Sequence, residues 1–216
     1  MGLKIIMHKI WDKLFEKGEF TSLEPDEEVL NFVALLKRNR AKRILDLGCG
    51  ACRHIIYLAL KGFEVYGSDF SLKALKICQE RLKERKIEAY IKAEDVSLLG
   101  YRNECFDAVI CLNTIYHNTL KGIKRTIAEI QRILRNRGLL LVNFMSKRTW
   151  KYGKGTKVEE GTYLQDEAWE KGILHHYSDE REIRELFYNF NSIELKLKER
   201  KIGEKVSSRW IVIAQK

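Results

Sequence analysis

Apolar and polar positions follow two rhythms along this chain, one of about 3.6 residues and one of two, and their order predicts alternating helices and strands. A helical stripe opens it, with Ile6, Ile10 and Leu14 in one row and Met7, Trp11 and Phe15 beside them. Pro25 followed by Asp26, Glu27 and Glu28 marks a second helix, because proline suits a first turn and acids complement the positive end of the helix dipole. Val29, Val33 and Leu36 give its buried side. The run Ile44–Leu47 then predicts a strand, and Ile55, Ile56, Leu58 and Ala59 a helix. A strand over 63–69 leads to a helix capped by Ser71, with Leu72, Leu75, Cys78 and Leu82 inward. Strands over 88–92 and 105–112, a helix carrying Ile123, Ile127, Ile130 and Leu134, and a continuous apolar run over 138–142 complete the pattern of a buried parallel sheet. Periodicity lapses over 146–178, where Gly153, Gly155, Gly161 and Gly172 lie among charges and aromatics, and that stretch is expected to be a long functional loop. A helix from Ser178-Asp179-Glu180 and two alternating strands, 193–198 and 206–214, close the chain. The expectation is one α/β domain over 1–216, without repeats or linkers.

Asp46-Leu47-Gly48-Cys49-Gly50-Ala51-Cys52 lies between the first strand and its helix. Glycine lets a backbone turn sharply and approach a ligand, and the helix start behind it offers free N–H groups. A dinucleotide fingerprint needs glycine at the sixth position counted from Gly48, where this chain has Arg53. A buried acid at Asp46 also suits a cationic ligand better than a pyrophosphate. Asp69 ends the second strand at the offset from the glycine turn where an acid grips a ribose diol, since a carboxylate accepts both hydroxyl hydrogens.

The stretch 46–52 resembles motif I of the class I S-adenosylmethionine-dependent methyltransferases, acidic-x-Gly-x-Gly-x-Gly, with Asp46, Gly48 and Gly50 matched and Cys52 in place of the third glycine. Ala93-Glu94-Asp95-Val96 and Cys105-Phe106-Asp107-Ala108-Val109 resemble later motifs, so the likeness runs from about Lys42 to Val142. It implies a Rossmann-like doubly wound sheet of seven mostly parallel strands, order 3-2-1-4-5-7-6, with the last strand antiparallel. It implies S-adenosylmethionine as cofactor, with S-adenosylhomocysteine as product, held by Asp46, Gly48, Cys49, Gly50, Asp69, Phe70, Asp95, Val96 and Leu112. Asp95 would take the adenine amino group and Val96 N–H a ring nitrogen. Residues 1–40 would be helices over the cofactor cleft, Trp11 included, and 146–178 an insertion lining the acceptor pocket. Family members usually turn on Lys-Pro-Gly-Gly before the fifth strand, where this chain has Arg135-Asn136-Arg137-Gly138.

Composition narrows the setting. With 216 residues, ordinary hydrophobic content and no membrane-length apolar run or signal-peptide core, a cytoplasmic protein without membrane association is expected. The five cysteines do not form a loop framework and are expected as reduced thiols, and Cys49 and Cys52 have no partners for a zinc site, so no metal is expected. The net charge of +10 is concentrated: Lys121–Lys157 holds eleven Lys and Arg against the single acid Glu129.

Methyl transfer is an in-line displacement that needs alignment and exclusion of water, and a base only when the acceptor must lose a proton. Tyr116 and His117, after the fourth strand, are the candidates for that base. His175, His176, Trp11 and Trp150 are the candidates for acceptor contact. The amino-directed DNA enzymes carry Asn/Asp-Pro-Pro-aromatic where this chain has Asn113-Thr114-Ile115-Tyr116 without prolines. A small-molecule acceptor is therefore expected. The alternatives are RNA, through Lys147–Lys157 with Trp150 and Tyr152 as stacking surfaces, and a cofactor-binding module that catalyses nothing.

Overall fold

Periods of 3.6 and of two turn into helices and strands in the expected order in a computed structural model that describes residues 2–167 and 170–216, with side chains from Ile6 onward. The elements are α1 (Gly2–Glu16), α2 (Glu27–Arg38), β1 (Arg43–Leu47), α3 (Arg53–Leu60), β2 (Glu64–Asp69), α4 (Leu72–Arg85), β3 (Tyr90–Ala93) and β4 (Phe106–Cys111). They continue with α5 (Leu120–Ile133), β5 (Leu134–Ser146), β6 (Thr156–Glu159), β7 (Thr162–Leu164), β8 (Leu174–Ser178), α6 (Glu180–Leu186), β9 (Ser192–Ile202) and β10 (Lys205–Gln215).

Strands β3, β2, β1, β4 and β5 pair in parallel, and β10 runs antiparallel between β5 and β9. Order β3-β2-β1-β4-β5-β10-β9 is the expected 3-2-1-4-5-7-6 with its last strand antiparallel. The stretch 146–178 departs from the loop expected there. It forms β6, β7 and β8, an antiparallel meander that joins the main sheet where β8 pairs with the end of β5 at Met145–Tyr177 and Ser146–Ser178. Strands this short have too few residues for a period of two to stand out among glycines.

The central strands are buried on both faces, and side chains alternate between them. Leu45, Leu47, Val109, Leu140, Val142 and Phe144 pack on α5 and α6 through Ile123, Ile127, Ile130, Ile183 and Phe187. Ile44, Ala108, Ile110, Leu139 and Leu141 pack on α2, α3 and α4 through Phe32, Leu36, Ile55, Leu58 and Leu82. Ser71 Oγ caps α4 by accepting from Ala74 N (3.1 Å), and Asp179 caps α6 by accepting from Glu182 N (2.9 Å). Two expected inward residues face out: Leu72, at the first position after its cap, is 66% exposed, and Ile6 is 53% exposed. Residues 135–138 form no separate turn; α5 passes directly into β5, where Leu134 pairs with Phe106 before a register shift.

The expectation of reduced thiols is corrected for one pair, since Cys52 and Cys78 form a disulfide with Cα atoms 4.9 Å apart. Cys52 stands at the family's third glycine position with φ +80°, and this left-handed turn aims its side chain at the inner face of α4. The thiol argument for a reducing compartment does not hold for this pair. Cys49, Cys105 and Cys111 are free. Six of the eleven basic residues of 121–157 are paired: Arg132 with Glu129, Arg135 with Asp107, Lys147 with Asp179, Arg148 with Glu199, Lys151 with Glu170 and Lys157 with Glu160. Among the described residues, no helix is long and apolar enough to cross a membrane.

Candidate active site

The glycine turn and the end of β2 are one hydrogen-bonded unit. Gly48 adopts φ +79° and donates to Ser68 O (2.7 Å), and a Cβ there would lie 2.2 Å from Thr114 Oγ1. Gly50 (φ +51°) donates to Asp69 Oδ2 (2.9 Å), while Ser71 N donates to Asp69 Oδ1 (2.8 Å). Asp69 is thus clamped between the turn and the head of α4, and each oxygen keeps a further lone pair. Burial pushes its carboxyl up to about 6, against the pull of those N–H groups.

A cavity of about 930 Å³ lies beyond the carboxyl edge of the sheet, where ligands of open α/β sheets bind. One end is walled by Gly48, Cys49, Gly50, Asp69, Phe70, Asp95, Val96 and Leu112. Phe70 stacks on His8 of α1 with centroids 4.2 Å apart, and Asp95 Oδ1 accepts from Ser97 N (2.8 Å) and Oγ (2.6 Å). Helix α1 contributes Met7, His8, Trp11 and Phe15 to the wall, and Trp11 Nε1 is buried without a hydrogen-bond partner. The other end carries Tyr116, His117, Trp150 and His175.

Two of the singled-out residues are off the wall. Asp46 is 1% exposed behind the turn, with Oδ2 3.7 Å from His54 Nδ1. His176 is fully buried, with Nδ1 2.7 Å from Thr162 Oγ1 and Nε2 2.8 Å from Glu182 Oε1, where it ties β7 to α6. Alternation along β8 explains why His175 reaches the cavity and His176 does not.

The other end of the cavity is a neutral aromatic cluster. His117 lies 5.0 Å from Trp11 and 4.9 Å from His175, centroid to centroid. His117 Nδ1 meets Leu174 O at 3.1 Å, which places the proton on Nδ1 and the lone pair on Nε2. Burial holds His117 down to about 4 and His175 to about 2, so both are neutral imidazoles at pH 7. Burial also raises the Tyr116 phenol, which stays protonated. These groups donate and accept hydrogen bonds well and are weak bases. Trp150 is covered by ammonium groups, Lys205 at 3.9 Å and Lys154 at 4.3 Å from its ring centroid.

Several residues on this wall escaped sequence reasoning. Asn113 (φ +56°) donates through Nδ2 to Asp26 Oδ2 (3.1 Å), exchanges amide hydrogen bonds with Asn143, and accepts from Arg209 through Oδ1. Arg53 pairs with Asp26 (2.8 Å), while Lys151, part of the basic stretch that the sequence did single out, pairs with Glu170. Arg209 arrives because β10 runs antiparallel, which brings its first residues to the carboxyl edge. The available signal was a charge inside an otherwise apolar alternation, Arg209-Trp210-Ile211-Val212.

Residues 44–138 match the family described as methyltransferase domain. The matched stretch runs from β1 into β5. The chain is 28% identical over 170 residues to a glycine/sarcosine N-methyltransferase of Aphanothece halophytica, covering 72% of itself and 63% of that protein. It spans between about half and just under two thirds of the length of the first curated relatives it matches. Its fold is shared with an S-adenosylmethionine-dependent methyltransferase of Methanosarcina mazei (TM-score 0.69, 22% identity, 89% of this chain and 98% of that one). It is also shared with magnesium protoporphyrin IX methyltransferase of Synechocystis PCC 6803 crystallised with bound S-adenosylmethionine (TM-score 0.62, 21% identity, 87% and 77%).

Proposed function

We propose that this chain is a methyltransferase that binds S-adenosylmethionine along Gly48–Gly50, Asp69, Asp95 and Val96 and methylates a small molecule seated against Tyr116, His117 and His175. The observation that carries the reading is continuity: the cofactor motifs and the aromatic cluster wall a single cavity of about 930 Å³. That volume is at the upper end for small-molecule sites and suits a donor and an acceptor together. The residues present fit the donor. The bare backbone at Gly48 and Gly50 permits close approach, Asp69 has lone pairs for two ribose hydroxyls, and Trp11 Nε1 is a buried donor lacking a partner. When bound, S-adenosylmethionine supplies an electrophilic methyl on a sulfonium.

The chain's own part is alignment and dryness. Met7, Trp11 and Phe15 of α1 roof the cavity and exclude water. Tyr116 and His117 orient the acceptor through hydrogen bonds, as a protonated phenol and a neutral imidazole. A small acceptor is supported further by the intramolecular pairing of the basic stretch and by the lysines that cover Trp150. The names of the relatives point the same way, since glycine, sarcosine and magnesium protoporphyrin IX are all small molecules.

Titration calorimetry with S-adenosylhomocysteine tests the donor assignment. Wild-type protein is expected to bind it one to one, and Asp69→Ala to weaken it by about 1.5–3 kcal/mol, the worth of charge-assisted hydrogen bonds. An unchanged affinity in the variant would remove Asp69 from the ribose site.

A further inference from the structure

The ion pairs of the acceptor end leave one cation over. Arg53 is matched by Asp26, whose Oδ2 also takes Asn113 Nδ2, and Lys151 is matched by Glu170. Arg209, half-buried in the same wall, donates to the neutral Oδ1 of Asn113. Among the described residues no carboxylate pairs with its guanidinium within 4.0 Å; Asp26, which feels its charge, is already paired with Arg53, and Glu167 at the rim is exposed to solvent. A guanidinium has five N–H donors in a planar fork, so one amide oxygen leaves most of them without an acceptor. Asn113, itself held by Asn143 and Asp26, fixes the position of Arg209.

A second group in the same cavity also lacks its complement. His175 is 2% exposed, lines the cavity, and has a buried Nε2 without a hydrogen-bond partner, 3.8 Å from Glu170 Oε1. Its other nitrogen meets Tyr177 Oη at 3.4 Å. Arg209, His117 and His175 line the same cavity. The wall therefore offers a cation without a carboxylate of its own beside two neutral rings. A monoanion matches it. A phosphate dianion would leave a surplus negative charge beside Asp26 and Glu170.

We infer that the methyl acceptor is a small carboxylic acid whose carboxylate pairs with Arg209 beside the His175 ring. This rests on the acceptor reading of the cavity given above. Bidentate geometry favours a carboxylate for a guanidinium presented by a rigid strand. The alternative, a neutral acceptor with Arg209 serving only to brace Asn113, predicts no preference for acids over their amides.

The test separates the two readings. Wild type, Arg209→Gln and Arg209→Lys are first titrated with S-adenosylhomocysteine; Arg209 lies outside the cofactor end, so all three are expected to bind it. Glycine, benzoate, 4-hydroxybenzoate and indole-3-acetate, each beside its primary amide, are then titrated into the protein with and without S-adenosylhomocysteine. At least one acid is expected to bind wild type about 10–100-fold more tightly than its amide. Arg209→Gln is expected to erase that ratio and Arg209→Lys to keep part of it. Equal binding of acid and amide, a ratio that survives in Arg209→Gln, or no acid binding to protein that binds S-adenosylhomocysteine would each overturn the inference. Failure of S-adenosylhomocysteine itself would instead strike the donor assignment, and the titrations without it would still report on Arg209.

Discussion

Cys78→Ala is expected to destabilise the protein by about 3–4 kcal/mol, the chain-entropy effect of opening a cross-link between residues 26 apart. Cys52→Gly breaks the same bond and is expected to cost about 1–2 kcal/mol less. Cys52 is held at φ +80°, where a side chain is disfavoured by roughly that amount and glycine is not. The pair of variants thus separates the bond from the turn. With glycine the chain completes the motif it resembles; with cysteine it accepts a strained backbone and gains a tie to α4, next to the clamp on Asp69. Urea denaturation of the oxidised wild type and both variants provides the check. Equal losses in the two variants would mean that the left-handed turn is not a burden, and no loss in either would deny the bond a role in stability.

Acidification from pH 6.5 to 4.5 is expected to remove about 3 kcal/mol of stability, because two imidazoles are buried neutral. His117 and His175 are held to about 4 and about 2, below the ordinary value of about 6.5. As pH falls through 6.5 the unfolded chain takes up protons that the folded one refuses, so stability is full above 6.5 and drains below it. The loss from His117 levels off near pH 4 and that from His175 continues toward 2. Asp69 works in the opposite sense. Raised to about 6, it binds a proton in the fold before it would in the unfolded chain, and it offsets part of the loss as pH falls from 6 toward 3.8. Above pH 4.5 the paired carboxylates of Glu129, Asp179 and Glu182, which are shifted down, are not yet protonated. Urea midpoints against pH should therefore slope in wild type and slope less in His175→Gln. A flat profile, or the same slope in both proteins, would contradict the buried neutral state.

The parallel half of the fold was legible because its signals are local. Continuous apolar runs mark β1, β4 and β5, caps at Ser71 and Asp179 mark helix starts, and Gly48 and Gly50 mark a turn that needs positive φ. The donor end of the cavity follows from the same signals, since Asp69 and Asp95 stand at strand ends that the alternation brings to one edge. The acceptor end was read less well because it depends on pairings between distant segments. Which of His175 and His176 faces the cavity is set by the register of β8, a strand too short to declare its phase. Arg209 reaches the site only through the antiparallel course of β10, and Asn113 matters because Asn143, Asp26 and Arg209 converge on its amide. The Cys52–Cys78 bond likewise needs α3 and α4 side by side. Asp46 illustrates the reverse case: a strand-end acid that the motif singles out, buried against His54 instead of standing on the wall.

A crystal structure with S-adenosylhomocysteine bound tests the central claim most directly. The account predicts the ribose hydroxyls on Asp69, the adenine against Asp95 and Val96, and the sulfur facing the space bounded by Tyr116, His117 and His175. A ligand lodged elsewhere on the chain, or one in this cavity with its sulfur turned away from that cluster, would contradict it.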